Sequence, residues 1–332
     1  MEELLVTARN NALIDPGLHI WTWEVAMYLF LGGLTAGVMV FAAIMAVRQA
    51  DDDAPFASTQ LAVIAPIVLS LGMTTLFLDL EHKLFVFRFY TSFQLMSPMS
   101  WGAWILIVIY PVSFLQILSS LRRGYPQVAP FIERVPFGSV VLDWCETYRR
   151  HIAWTAIPFG IALGIYTGIL LSAFSARPFW NSGVLGPLFL ISGLSTAAAL
   201  VALLAKQHSE KVLFVKIDLA LILGELALVA LFVINLATGS APQLEALESI
   251  TGGAYTLVFW VLFVGFGLLI PLLLELLEIR GFANRIAMVA PVLVLLGGYV
   301  LRQVILDIGQ ESTWTRYPTQ YNAELLDRLQ ED

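Results

Sequence analysis

Eight stretches of about twenty mostly apolar residues follow one another along this chain, and that repetition leaves little freedom for the fold. The hydrocarbon core of a bilayer is about 30 Å thick, and a helix rising about 1.5 Å per residue needs about twenty residues to cross it. The stretches run over 22–47, 59–79, 100–120, 153–175, 182–205, 212–238, 253–278 and 283–308, each bounded by turn-forming or charged residues. They predict an all-α polytopic membrane protein with about eight transmembrane helices. Only 13% of the residues are charged and mean hydropathy is +0.80, whereas a soluble globular domain carries roughly 25% charged residues. The longest connection, about 121–152, is too short and too mixed to build a separate soluble domain. The expected organisation is one integral membrane domain over 1–332, with a four-helix bundle over 1–175, a second over 176–308 and a tail over 309–332.

The N-terminal MEELLVTARNN has no basic segment ahead of an apolar one, so it does not read as a cleaved signal peptide. The net charge of −7 gathers in loops such as Asp51–Asp53 and in the tail, and gives no basic face for nucleic acid. A single cysteine, Cys145, excludes an intrachain disulfide and any cysteine-cluster metal site supplied by this chain alone. An even number of spans puts both termini on one side. That side holds six basic loop residues, Arg9, Lys83, Arg88, Arg177, Arg316 and Arg328. The other holds ten, Arg48, Arg122, Arg123, Arg134, Arg149, Arg150, Lys206, Lys211, Arg280 and Arg285. The positive-inside rule then places both termini outside the cytoplasm.

A faint repeat links LFLGGLTAG (29–37) in the first span with LFLISGLSTA (188–197) in the fifth. Both spans start from the same side, so the repeat is either a parallel duplication of four helices or small residues recurring where helices pack closely.

The residues that an apolar span does not require fall at one membrane face. Trp21, Trp23, Glu24 and Tyr28 open the first span; Asp79, Glu81 and His82 close the second; SPMSWGAW (97–104) opens the third. Tyr166 lies late in the fourth, followed by Arg177, Trp180 and Asn181, while Arg302 and Asp307 lie late in the eighth. Each has a plain structural alternative. The tryptophans suit an interfacial belt, Arg177 a snorkelling side chain, Asp79 a helix cap and Tyr166 ordinary packing. Arg302, inside a span, is by default functional, unless it ties helices together through Asp79 or Asp307. A one-sided, aromatic, hydrogen-bonding site near the headgroups suits a quinone, with Glu24, Asp79, His82 and Tyr166 as candidates for proton work. Deeper, Lys216, Asp218 and Glu225 lie on the sixth span, and Glu275 and Glu278 end the seventh. Asp218 and Glu225, seven residues apart, share a helix face. They read as a proton path or as neutral acids hydrogen-bonded in the interior. The four histidines, His19, His82, His151 and His208, stand at span ends or in loops, and no haem is expected. Electrons would then come from a partner docked at the outer face.

YLFLGGLTAG (28–37), LFLDLEHKLFVFRFYTSFQLMSPMSWGAW (76–104), YTGILLSAFSARPFWNS (166–182) and LRQVILDIGQ (301–310) resemble the NrfD family, that of the polysulfide reductase membrane subunit. The resemblance implies a haem-free subunit of the bacterial cytoplasmic membrane that exchanges electrons between menaquinone or ubiquinone and an iron–sulfur subunit with 4Fe–4S clusters. That partner commonly serves a molybdenum bis-pterin catalytic subunit, or in other relatives a hydrogenase or alternative complex III. It also implies a quinone site near the periplasmic face built from a histidine and an asparagine of the first span and a tyrosine of the fourth. The tyrosine corresponds to Tyr166 and the histidine position to Tyr28. The asparagine position falls on Val25 or, one residue along, Glu24, so the first span departs from the pattern and Glu24 or His82 is the expected substitute. Asp79 and Arg302 match family positions. The quinone-binding set is thus Glu24, Tyr28, His82, Tyr166, Arg177 and Arg302, and the proton-path set Asp79, Asp218 and Glu225. The competing readings are a transporter, which would keep its polar groups at the midplane, and a passive anchor for a peripheral enzyme. The tail segment NAELLDRLQED (322–332) reads as a short amphipathic helix that contacts a partner, or as a frayed end.

Overall fold

Backbone that lies in lipid has no water to bond, so it must satisfy its own amides, and continuous helices do this within each segment. A computed structural model describes residues 21–280 and 288–312. Eight helices in it are long and apolar enough to cross a membrane: α1 Trp23–Val47, α2 Phe56–Asp79, α3 Pro98–Gly124, α4 Arg149–Ser172, α5 Leu185–Leu204, α6 His208–Ala237, α7 Val258–Ile279 and α8 Val289–Glu311. No strand occurs among the described residues. The expected spans are recovered, with some ends displaced by a few residues. α1 stops at a left-handed Gln49 (φ 53°), the role glycine usually fills after a helix. α2 begins three residues early because the buried Glu210 carboxylate, from the start of α6, accepts the backbone N–H groups of Phe56 (3.2 Å) and Ala57 (2.8 Å). Shorter helices lie in the connections at Arg88–Thr91, Ala129–Glu133, Gly138–Thr147 and Ala241–Thr251. The expected tail helix lies outside the described residues.

α1 is the centre of the arrangement and packs against α2, α4, α5 and α8. The two sequence repeats meet there. A Cβ on Gly193 of α5 would sit 2.6 Å from the Gly33 carbonyl oxygen of α1, and one on Gly37 would run into the Gly193 carbonyl, so glycine at 37 and 193 lets the backbones touch. Small residues of both segments thus lie where α1 and α5 pack closely. One buried core joins Met39, Phe41, Leu61, Ile109 and Leu163 to Val201 and Phe214; another joins Leu29 and Leu171 to Phe189, Phe232, Phe263 and Ile305. Both cores draw on early and late spans, so α1 is shared by the two halves of the chain.

At the face opposite the N-terminus, the acidic turn after α1 is a clasp. Asp51 accepts two hydrogen bonds from Arg149 (2.8 Å each) and one from Arg123 (2.6 Å), joining that turn to the start of α4 and the end of α3. The Arg149 guanidinium holds the Asp51 carboxyl well below the usual carboxylate range, against a smaller opposing effect of burial.

Candidate functional site

The N-terminal face carries a cavity of about 420 Å³. Its wall is built from α1 (Val25, Tyr28, Leu29), α2 (Met73, Leu76, Asp79), α3 (Gly102, Ala103, Leu106) and α4 (Tyr166, Leu171). Trp21, just before α1, and Phe89 and Tyr90, in the connection between α2 and α3, close it. Most of this surface is apolar; the polar side-chain groups are three phenols, one carboxyl and the Trp21 indole N–H. Tyr28 and Tyr166 are each only 5% exposed, and Tyr28 is near enough to both Tyr166 and Tyr90 for their groups to interact. Among the described residues, no protein group is hydrogen-bonded to any of the three hydroxyls. Neither the Tyr28 nor the Tyr166 hydroxyl is among the buried polar atoms that lack a partner, so both oxygens are reached from the cavity and can donate to what enters it. Burial, with Tyr110 adding to it, pushes the Tyr90 phenol above its ordinary range.

The glycine of SPMSWGAW has a specific task. A Cβ at Gly102 would overlap the tip of the Tyr166 ring, hydroxyl included, so only glycine leaves room for the phenol where it stands. Ser97 and Pro98 start α3 at the position that brings Gly102 one turn into the helix, opposite Tyr166.

The sequence-predicted residues separate into three groups. Tyr28, Tyr166 and Asp79 converge on the cavity. Glu24 is half-buried in the first turn of α1, accepts a hydrogen bond from the Thr22 hydroxyl, and is close enough to Asp79 for their charges to interact, without lining the cavity. His82 does not line it either: it is exposed, with its ring edge-on to Phe85. Arg177, expected in the pocket, is instead buried against the end of α8. Its guanidinium donates to the carbonyls of Gln310 (2.9 Å) and Ser312 (3.1 Å), groups a helix end leaves unpaired.

Arg302, also expected there, is wholly buried on the far side of α1. It donates to Ser192 Oγ (2.6 Å), Gly298 O (2.8 Å) and Phe189 O (3.0 Å) and lies over the Phe189 ring at 5.1 Å. Neither Asp79 nor Asp307 is its partner in these bonds. The carboxylate facing it is Glu225, which also reaches Ser192. From Glu225 the buried polar groups continue to Asp218, which accepts from Ser195 Oγ (2.6 Å) and meets Glu275. Oδ2 of Asp218 and Oε2 of Glu275 have no donor among the described residues, so a bond between these two acids requires that one of them hold a proton. Glu275 in turn feels Glu278, which faces His208 and Lys211 at the opposite membrane face. Lys216 is exposed and stands outside this line of groups. His19 lies outside the described residues.

Sequence reasoning missed Tyr90 and Gly102 as site residues. Tyr90 sits among phenylalanines in FRFYTSF, a run that reads as an interfacial belt, and only the fold turns it over the cavity. The signal for Gly102 was its place inside a specific motif opposite the motif tyrosine.

The family model for polysulphide reductase, NrfD, matches residues 11–312. Protein NrfD of Escherichia coli is 29% identical over 308 residues, covering 88% of this chain and 95% of that protein. A polysulfide reductase chain of Wolinella succinogenes is 29% identical over 303 residues, covering 88% and 94%. A selenate reductase subunit of Mesobacillus selenatarsenatis is 22% identical over 290 residues, covering 76% and 66%.

Proposed function

This chain belongs to the NrfD polysulphide reductase family, and from that premise we propose that it is the membrane subunit through which an oxidoreductase complex exchanges electrons with the quinone pool. One observation carries the reading. Two buried phenols, Tyr28 and Tyr166, whose hydroxyls have no protein partner among the described residues, line an apolar cavity of about 420 Å³. A quinone fits this donor set, because its ring oxygens accept hydrogen bonds while its ring and tail need apolar walls. The volume lies within the range of roughly 300–1,000 Å³ usual for small-molecule sites.

When bound, the quinone supplies the exchange of two electrons and two protons. Tyr28 and Tyr166 would hold a ring oxygen by donating to it, with Tyr90 as a third donor. Asp79 lines the same cavity at the end of α2 and has Glu24 and Lys83 beside it. Its role is to take or return a proton and pass it toward the surface. The wall of Met73, Leu106 and Leu171 offers no proton carrier, so proton exchange falls to these polar side chains. Arg177 and Arg302 are assigned structural and charge-balancing roles outside the cavity, and His82 a place at the surface near its rim.

Two of the relatives are named as one component of a larger enzyme, a polysulfide reductase in one case and a selenate reductase in the other. By analogy the partners of this chain are an iron–sulfur subunit and a molybdopterin catalytic subunit. They would dock on the cavity face, and the smaller number of Lys and Arg in its loops supports the periplasmic side. Quinone chemistry would be joined to proton movement through Glu225, Asp218 and Glu275; the unpaired acid oxygens on that line support this extension.

The direct test is Tyr166→Phe in the complete complex. Losing one hydrogen bond to the bound ring predicts a fall of about tenfold in quinol turnover, with subunit assembly unchanged. Wild-type turnover in that variant would remove Tyr166 from the site.

A further inference from the structure

Trp21 is a wall residue of the cavity, yet it precedes α1 and so is not held by that helix's hydrogen bonds. What holds it is the far end of the chain. Gln310, in the last turn of α8, accepts the Trp21 backbone N–H at Oε1 (2.8 Å) and donates from Nε2 to the Trp21 carbonyl (2.8 Å). One amide thus serves both main-chain groups of a single residue. The Trp21 indole stacks on Trp180 with centroids 5.6 Å apart and meets the edge of Phe174 at 5.5 Å. Trp180 is tied to the same helix, because its indole N–H donates to Ile305 O (2.7 Å) and its ring lies where a side chain at Gly309 would be. Arg177 completes the clamp by bonding the Gln310 carbonyl. Arg302 stands eight residues earlier on α8, about 12 Å along the axis at about 1.5 Å per residue.

We propose that Gln310 is a positioning residue for the quinone cavity: its amide fixes Trp21 and thereby makes one wall of the first-half cavity a fixture of the last helix, the helix that also carries Arg302. The proposal rests on the quinone reading above. Its chemistry is specific to glutamine. A glutamate there keeps the acceptor for the Trp21 N–H but sets an oxygen against the Trp21 carbonyl, and a leucine keeps the approximate volume but makes neither bond. Through this contact a displacement of α8 reaches the cavity, and a ring seated against Trp21 in turn bears on α8. That gives the buried charges around Arg302 and the quinone a shared mechanical element.

The test is equilibrium binding of menadione, a naphthoquinone without the isoprenoid tail, to the purified complex. It is measured by titration calorimetry alongside the thermal midpoint. Gln310→Leu and Gln310→Glu are each expected to weaken binding by about tenfold. The decisive readout is the cycle with Trp21→Ala. Once the indole is gone, Gln310→Leu should cost no further affinity, because the wall it positions is absent. If Gln310 only stabilises the fold, its variants lower the thermal midpoint and leave menadione affinity unchanged, or the losses multiply in the double variant; either result overturns the proposal. Should Gln310→Leu fail to assemble, the near-isosteric Gln310→Glu carries the same comparison. A wild-type complex that binds no menadione, native quinone having first been removed, overturns the quinone reading and this inference with it. A wild-type complex that binds it, with the Gln310 variants binding equally well, overturns the inference alone.

Discussion

At the scale of single residues, what decides the site is which unpartnered polar groups line the cavity. The Tyr28 and Tyr166 side chains are buried and their hydroxyls unbonded among the described residues, while Arg177 and Arg302, also buried, are bonded to carbonyls and to Ser192, with Arg302 Nε alone of its guanidinium nitrogens left without a partner. The first pair is available to a ligand and the second is committed to the fold. Gly102 gives the sharpest test, since a methyl group there enters the space of the Tyr166 ring. Gly102→Ala is expected to displace the phenol and lower quinone affinity by about tenfold or more, with the helix retained because alanine is the better helix former. Binding of a quinone to that variant at wild-type affinity would contradict the placement of Tyr166. The residue types at this face were legible in the sequence, because topology alone gathers Tyr28, Asp79 and Tyr166 at one end of the spans. The targets of the arginines were not. Arg177 and Arg302 reach backbone carbonyls more than a hundred positions away, and no local pattern marks a carbonyl as a partner.

At the scale of elements, the spans were legible because twenty apolar residues in lipid admit few alternatives, and the differences lie at their ends. α4 begins at Arg149, four residues before the apolar run, since that arginine is buried by its bonds to Asp51 and to Ser58 O (2.8 Å). The charge density of Asp51–Asp53 marked a loop but not a clasp between three helices. The clasp has a pH signature. A carboxyl held below its unfolded range by Arg149 contributes stability that is fully present above about pH 4, the unfolded carboxylate range, and is lost as pH falls through the depressed folded value. Asp51→Asn should therefore lower stability at neutral pH by about 1–3 kcal/mol, discounted because the carboxyl is partly exposed. The difference from wild type should shrink on acidification. Thermal melts of both proteins across that range check it; a difference that stays constant with pH would assign the loss to something other than the ion pairs.

At the scale of the whole molecule, two polar systems lie on opposite sides of α1. One is a cavity of phenols and Asp79 at the N-terminal face; the other is a buried line from Arg302 through Glu225, Asp218 and Glu275 toward the opposite face. The sequence held both sets of residues but not their separation, which follows from α1 packing against α2 and α4 on one side and α5 and α8 on the other. If the line carries protons, Glu225→Gln in proteoliposomes should lower proton movement per quinol turned over, read with a pH-sensitive dye. An unchanged ratio would leave Glu225 as a buried neutral acid. The central claim is that the phenol-lined cavity is where the quinone sits, and photolabelling tests it most directly. The complete complex is illuminated with an azido-quinone and the modified peptides are mapped by mass spectrometry. Label is expected on segments that line the cavity, around Tyr28, Tyr90, Gly102 or Tyr166, and is lost when excess unlabelled quinone competes. Competable label confined to other segments of this chain, or to another subunit, would contradict it.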